Sequence, residues 1–302
     1  MSEPFRFFPV TVRSIADLTP SFRRFTFTGA DLADFADPGY DQRIKVVFPL
    51  PGTGLTTMPT GPDWWTRWRR LPDDARPPFR TYTTRYVRRD TSRGPEVDVD
   101  MVVHDVRGPA SAWIHRARPG DEVLLLGPVV GHEDTDTGVD FVPPSRIDRL
   151  LLVGDETAAP AISAILEQVD PATHGIAVLE LPHPADAGYL PDHPGVDVRV
   201  VARTGAPHGA GLIDAARAAV AELAPEGTRQ EVEEVDVDAD LLWEVPRHAR
   251  GGAALSRAAL YSWVAGEAGC VKALRRHLVA ERGIDRRAVA FMGYWRLGRA
   301  ES

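Results

Sequence analysis

Cysteine is nearly absent: Cys270 is the only one in 302 residues. A single thiol closes no internal disulfide, builds no Cys/His zinc framework and cannot ligate an iron–sulfur cluster. A reducing compartment fits. Positive charge is in deficit too, with 43 acidic against 35 basic residues and a net charge of −8. That argues against general nucleic-acid binding, which needs a basic surface to displace counterions. Long apolar runs are also missing, and none approaches the length of a membrane-spanning helix. The start, MSEPFRFFPVTVRSI, has no sustained apolar core behind a basic segment, so no signal peptide is read. The expectation is a cytoplasmic, monomeric protein that does not insert into membranes. What is present builds cores readily: 43% of residues are hydrophobic and 26% charged. The length suggests two domains.

Up to about residue 145 the chain reads as β-rich. Apolar and polar residues alternate through 8–29 around a turn. Further strands are expected at 41–50, 79–90, 96–106 and 121–130. Short strands separated by Pro/Gly turns predict a small antiparallel barrel over 1–144. Residues 51–78 interrupt it with five prolines between 59 and 78 and the cluster WWTRWRR at 64–70. This segment reads as a loop with one helical turn, either a lid packing its tryptophans on the barrel or part of a substrate- or partner-contacting surface.

The character changes at 146–169, where the apolar run LLLV meets a Gly-Asp turn and then a helical pattern. That is a strand–turn–helix unit of a parallel α/β sheet. Strands at 175–181 and 196–202, a helix at 211–223, a second strand–turn–helix at 259–283 and a last strand at 288–298 complete a domain over 145–302. The boundary is placed near Pro143–Arg146. The acidic stretch 231–240 reads as a solvated loop. No internal repeat is present.

Two motifs in the first half carry chemistry. Arg80-Thr81-Tyr82-Thr83 sets a guanidinium, an aromatic ring and hydroxyls along one strand. The guanidinium can hold a phosphate, the ring can lie against a flat heterocycle, and a hydroxyl can bond one of its heteroatoms. His104 is followed by Gly108-Pro109-Ala110-Ser111 and Trp113, a small-residue turn opening a helix. Unpaired N–H groups and the helix dipole suit such a start to a pyrophosphate, although an ordinary capped helix has the same pattern. Trp113 reads equally as pocket wall or core anchor.

With GDETAAPA (154–161), WVAGEA (263–268) and GYWRLG (293–298) added, the spacing of motifs resembles the siderophore-interacting proteins, a branch of the ferredoxin-reductase superfamily, over nearly the whole chain. The resemblance implies a six-stranded barrel holding FAD and a Rossmann-like parallel-sheet domain for NAD(P)H. Arg80 would bind the FAD phosphates, Tyr82 would stack on the ring system, and Thr81 and Thr83 would lie beside it. His104 and Gly108–Ser111 would hold the pyrophosphate side, and Tyr294 and Trp295 would cover the flavin. Gly154, Asp155, Glu156, Thr157, Ala158, Gly266 and Glu267 would form the nicotinamide-nucleotide loops, although only one glycine of a dinucleotide fingerprint is present. Glu156 and Thr157 read equally as helix caps. Arg203 would meet a 2′-phosphate and so favour NADPH over NADH, although a structural or solvent-facing arginine reads as well.

The implied reaction carries electrons from NAD(P)H through FAD to iron(III) in a ferric siderophore, releasing iron(II) for iron acquisition, with no side chain acting as acid or base and no resident metal. Ferric siderophores are usually anionic, so a local basic pocket is expected; the resemblance assigns it Lys45, Lys272 and Arg275, the last two sharing a helix face, although each reads equally as an ordinary surface cation. The long 51–78 and 225–250 segments depart from the family pattern. Two alternatives stay open: a flavin reductase serving a separate protein such as a ferredoxin, and a siderophore-binding protein without catalysis.

Overall fold

A computed structural model describes residues 4–104, 108–132, 138–224, 242–248 and 251–298. The acidic stretch 231–240 lies outside the described residues. The chain divides into two compact units, Met1–Val139 and Asp140–Ser302.

Alternation builds the first unit. Strands β1 (Phe5–Asp17), β2 (Phe22–Thr28), β3 (Arg43–Val47), β4 (Phe79–Arg88), β5 (Glu96–Val102) and β6 (Glu122–Pro128) close an antiparallel barrel in the order β1-β2-β5-β4-β3-β6. Every second residue points in. Phe8, Val10 and Val12, then Phe25 and Phe27, then Val97, Val99 and Met101 meet in one core. The outer face of β5 carries Glu96, Asp98 and Asp100, all buried. Each finds arginine: Arg24 on Asp100, Arg88 on Asp98 and Glu96, Arg13 on Glu96. Buried carboxylates persist only with such partners.

The continuous run Val123–Leu126 in β6 has no polar face because both faces are covered. Val123 and Leu125 enter the barrel core, while Leu124 and Leu126 join Phe7, Val47, Met58 and Trp68 in an outer cluster. The helix α1 (Trp64–Arg69) supplies Trp68 to that outer cluster. A second helix, α2 (Pro109–Arg116), leads into β6.

The second unit contains β7 (Arg146–Asp155), α3 (Ala159–Gln168), β8 (Gly175–Leu181), β9 (Val196–Ala202), α4 (Ala210–Leu223), β10 (Trp243–Glu244), β11 (Arg257–Glu267), α5 (Ala268–Arg275) and β12 (Val289–Trp295). Its sheet order is β10-β12-β11-β7-β8-β9. All neighbours are parallel except the two-residue β10, which runs antiparallel to β12. This edge strand is not foreseen in the sequence reading, because two residues carry no periodicity. Phe141 packs edge-on against Tyr261 at 5.7 Å, and Val142 N donates to Tyr261 Oη at 3.0 Å. The segment just before the prolines is therefore already tied to the second unit. Among the described residues no helix is long and apolar enough to cross a membrane.

Candidate functional site

On β4, Arg80 and Tyr82 share one face and Thr81 and Thr83 the other. Tyr82 is half-buried against the barrel core, its ring 6.4 Å edge-on from Phe48. Arg80 is half-buried, with Nη1 donating to the Phe79 carbonyl at 2.7 Å. Thr81 is exposed and Thr83 buried. Beside them the Thr84 hydroxyl is buried without a hydrogen-bond partner. Buried hydroxyls are normally paired, so this orphan marks a bonding position on the motif strand.

The start of α2 is open. Gly108 is the N-cap in extended backbone, and a Cβ built on it would meet no atom within 4 Å. Ser111 Oγ accepts from Gly108 N at 3.1 Å and donates to Gly108 O at 3.0 Å. Pro109 brings no N–H, and Ala110 lies in the first turn. His104 is exposed, its carbonyl 2.8 Å from His115 Nε2. Trp113 is 2% exposed, with Phe25 and Phe48 at 5.1 and 5.2 Å between ring centroids. Its ring is packed within the barrel core. An arginine, a half-buried ring, an orphaned hydroxyl and an open helix start are groups that fit a flavin nucleotide.

In the second unit the chain order reverses between β7 and β11, which lie side by side with Gly154 opposite Ala265. Crevices at the carboxyl ends of strands at such a reversal are where α/β sheets take nucleotides. Three sequence motifs meet there through one carboxylate. Asp155 Oδ1 accepts from Thr157 N at 2.9 Å and from Thr157 Oγ1 at 2.5 Å. Oδ2 accepts from Glu267 N at 2.8 Å and from Trp295 Nε1 at 2.9 Å. Glu267 caps α5 by accepting from Cys270 N, and its other oxygen accepts from Leu297 N. Gly266 has φ +139°, and a Cβ on it would lie 2.6 Å from Asp155 Oδ2, so only glycine fits. Gly154 is equally tight, its Cβ position 2.5 Å from the Ala158 Cβ.

Around this knot lies a buried ion-pair cluster. Arg203 Nη2 donates to Glu156 Oε1 at 2.7 Å, and Nη1 to Glu156 Oε2 at 3.2 Å and Glu180 Oε2 at 3.3 Å. His208 Nε2 stands 3.7 Å from Asp155 and 3.6 Å from Glu156. Its ring meets Trp295 edge-on at 4.9 Å. Burial pushes the Asp155 carboxyl up, and neighbouring Glu156 adds to this. Burial also works to raise Glu156, but His208 and Arg203 overcome it and hold that carboxyl down at about 2. Burial works against a charged His208, yet Glu156 and Asp155 together raise its pKa. Asp155, Glu156 and His208 bring ligand atoms within 4.8 Å of one another, but both Asp155 oxygens already accept from donors and Arg203 holds Glu156. The cluster is therefore an ion-pair network rather than a metal cage.

Residues 11–132 match the siderophore-interacting FAD-binding domain, and residues 147–298 match the siderophore-interacting protein model. The chain belongs to the siderophore-interacting protein family. It is 32% identical over 291 residues to a Mycobacterium tuberculosis protein, covering 94% of this chain and 88% of that one. It is 32% identical over 162 residues to the NADPH-dependent ferric-chelate reductase of Escherichia coli, covering 54% of this chain and 57% of that one. The crystal structure of the siderophore-interacting protein SipS from Aeromonas hydrophila aligns at TM-score 0.68 with 28% identity, covering 99% of this chain and 94% of that one.

In this siderophore-interacting protein the expected basic groups have unequal environments. Lys45 Nζ lies 3.4 Å from Thr81 Oγ1 and 4.9 Å from the centre of the Phe79 ring. Arg275 is 8% exposed and doubly bonded to Glu244 at 3.0 and 2.9 Å. Its charge is thus matched by a glutamate of its own unit. Lys272 is half-buried on the same helix. Arg203 is likewise paired with Glu156 and Glu180. Tyr294 stacks on Trp243 at 5.6 Å, and Trp295 is bound to Asp155, so both have partners inside their own unit. Sequence reading missed Glu180 and His208, which stand alone in the chain with no motif around them. Cys270 is buried and its thiol is pushed up to about 12, chiefly by burial, so it offers no reactive thiolate at neutral pH.

Proposed function

We propose that this chain is a FAD-containing reductase that takes electrons from NAD(P)H and delivers them to iron(III) in a ferric siderophore. The observation that carries the reading is the pairing of two nucleotide-fitting surfaces in one chain: the β4 strand with the open start of α2, and the glycine-lined strand reversal at β7 and β11. Arg80 and the first turn of α2, Gly108 through Ser111, would hold the FAD phosphates. Tyr82 would face the ring system with Thr81, Thr83 and the Thr84 hydroxyl nearby. Gly154–Ala158 and Gly266–Glu267 would bind the nicotinamide nucleotide. When bound, FAD accepts two electrons as a hydride and releases them singly. Each NAD(P)H therefore serves two ferric chelates and yields one proton. Iron(II) binds hard oxygen ligands more weakly than iron(III) and dissociates. The E. coli relative supports NADPH as the donor.

The test is an aerobic purification followed by a visible spectrum, then anaerobic addition of NADPH or NADH, then a ferric siderophore with a ferrous-iron trap. A yellow protein that bleaches and then reduces the chelate supports the proposal, and the faster donor names the coenzyme. A colourless protein that takes up no FAD overturns it and leaves a binding role. A yellow protein that neither nicotinamide bleaches moves the electron source to a protein partner.

A further inference from the structure

The tryptophan-rich helix α1 is not absorbed by the flavin and nicotinamide surfaces. Its base is fixed: Trp68 is 6% exposed and donates from Nε1 to the Pro77 carbonyl at 2.8 Å. Trp65 lies parallel on Trp68, with centroids 5.3 Å apart and planes 11° apart, yet remains 43% exposed. One face of the Trp65 indole is thus supported and much of the rest is open to solvent, which a lid built only for packing does not require. Trp64, Trp65 and Trp68 all contact Phe79, at 5.9, 5.9 and 4.9 Å. That same ring carries Lys45 Nζ, so the cation expected to meet substrate sits on the aromatic cluster itself.

The charge pattern adds to this. Residues 64–70 hold three arginines and no acid in a chain of net charge −8. Arg67 is tied to the Thr60 and Pro62 carbonyls, and Arg76 lies over Trp68 while pairing with Asp73. These two hold the loop. Arg69 and Arg70 are exposed, and neither side chain forms an ion pair among the described residues.

An exposed, rigidly backed indole beside free guanidinium groups suits a ligand that is both flat and anionic. The geometry points to α1 as a docking platform for the catecholate rings of a ferric tris-catecholate, an inference that rests on the siderophore-reductase reading. Three doubly charged catecholates leave a net triple negative charge around iron(III), and they present aromatic rings. Three hydroxamates leave no net charge and need present no ring. The platform therefore discriminates between the two chelate classes through Trp65 stacking and the Arg69 and Arg70 charges.

The test uses gallium(III), which fills the same chelates but is not reduced under these conditions, so binding is read apart from electron transfer. The purified FAD-loaded protein is titrated by calorimetry with the gallium complexes of a hexadentate tris-catecholate and of a hexadentate tris-hydroxamate. The expected result is tighter binding of the catecholate, weakened about tenfold by Trp65→Ala and about tenfold by the double change Arg69→Gln and Arg70→Gln, a size typical of a desolvated cation–π or stacking contact. Hydroxamate binding is expected to be unaffected. The surface pair Arg69/Arg70 is the safer variant should Trp65→Ala unfold the loop. Variants that bind the catecholate like the parent protein overturn the inference while leaving the reductase reading intact. Loss of flavin absorbance in the folded variants overturns it by assigning α1 to the cofactor. A parent protein that binds neither complex removes the inference together with the reading on which it rests.

Discussion

Replacing Gly266 with alanine puts a methyl group 2.6 Å from Asp155 Oδ2 and 2.8 Å from its Cγ. The carboxylate cannot swing aside, since it is fully buried and Oδ2 is held by Glu267 N and Trp295 Nε1. The backbone must also keep φ near +139°, where an L-residue is strained. Strain of about 1–3 kcal/mol and overpacking of about 1–3 kcal/mol add to roughly 2–6 kcal/mol. For a unit of this size each kcal/mol lowers the melting temperature by about 2–4 °C, so a loss of roughly 4–24 °C is expected in a thermal melt followed by circular dichroism. Gly205→Ala is the control: it also has positive φ, at +80°, but a Cβ there meets nothing within 4 Å. It should cost about 1–2 kcal/mol from backbone conformation alone. If the two variants melt together, Asp155 does not brace the sheet end as argued. The same change should raise the KM for the nicotinamide nucleotide, because Gly266 and Asp155 shape the proposed loop.

The ion-pair cluster gives four further outcomes. Trp295→Phe keeps the ring but removes the donor to Asp155, and should cost about 1–2 kcal/mol in urea unfolding. Arg203→Ala strands two buried carboxylates, Glu156 and Glu180, and should cost about 3 kcal/mol or more, with nicotinamide discrimination between NADPH and NADH unchanged. His208 has a raised pKa, so its stabilising contribution is complete below about pH 6.5 and is lost as pH rises through the folded value. His208→Gln should flatten that alkaline decline in urea midpoint. Glu156, held at about 2, contributes in the opposite sense: its stabilisation is present above the ordinary glutamate value and fades as pH falls toward about 2.

The barrel was legible because alternation writes itself into residues such as Phe8, Val10 and Val12. The sheet of the second unit was legible from LLLV and its sequel. Pairing was not. Arg203 and Arg275 look like any other cation in the chain, and only folding brings Glu156, Glu180 and Glu244 to them. The continuous apolar stretch of β6 acquires its reason only when α1 covers the outer face. The motifs GDETAAPA, WVAGEA and GYWRLG could be noticed one by one, but their joining through Asp155 spans separations of 112 and 140 residues, which no local pattern encodes. His208 is a lone histidine in a Pro-Gly turn and gave no signal.

The Asp155 knot also sets an order in time. The barrel strands all precede Asp155 in the chain and pair only with one another. Asp155 then waits for a partner indole that lies 140 residues downstream. At a synthesis rate of about 5–20 residues per second, roughly 7–28 s pass between the emergence of the two. Over the first 112 residues of that interval the carboxylate destined for the sheet end has neither Glu267 N nor Trp295 to receive it. The Asp155 site is thus completed long after the barrel strands have emerged, and a nascent chain can close its barrel well before the loops proposed for the nicotinamide nucleotide come together.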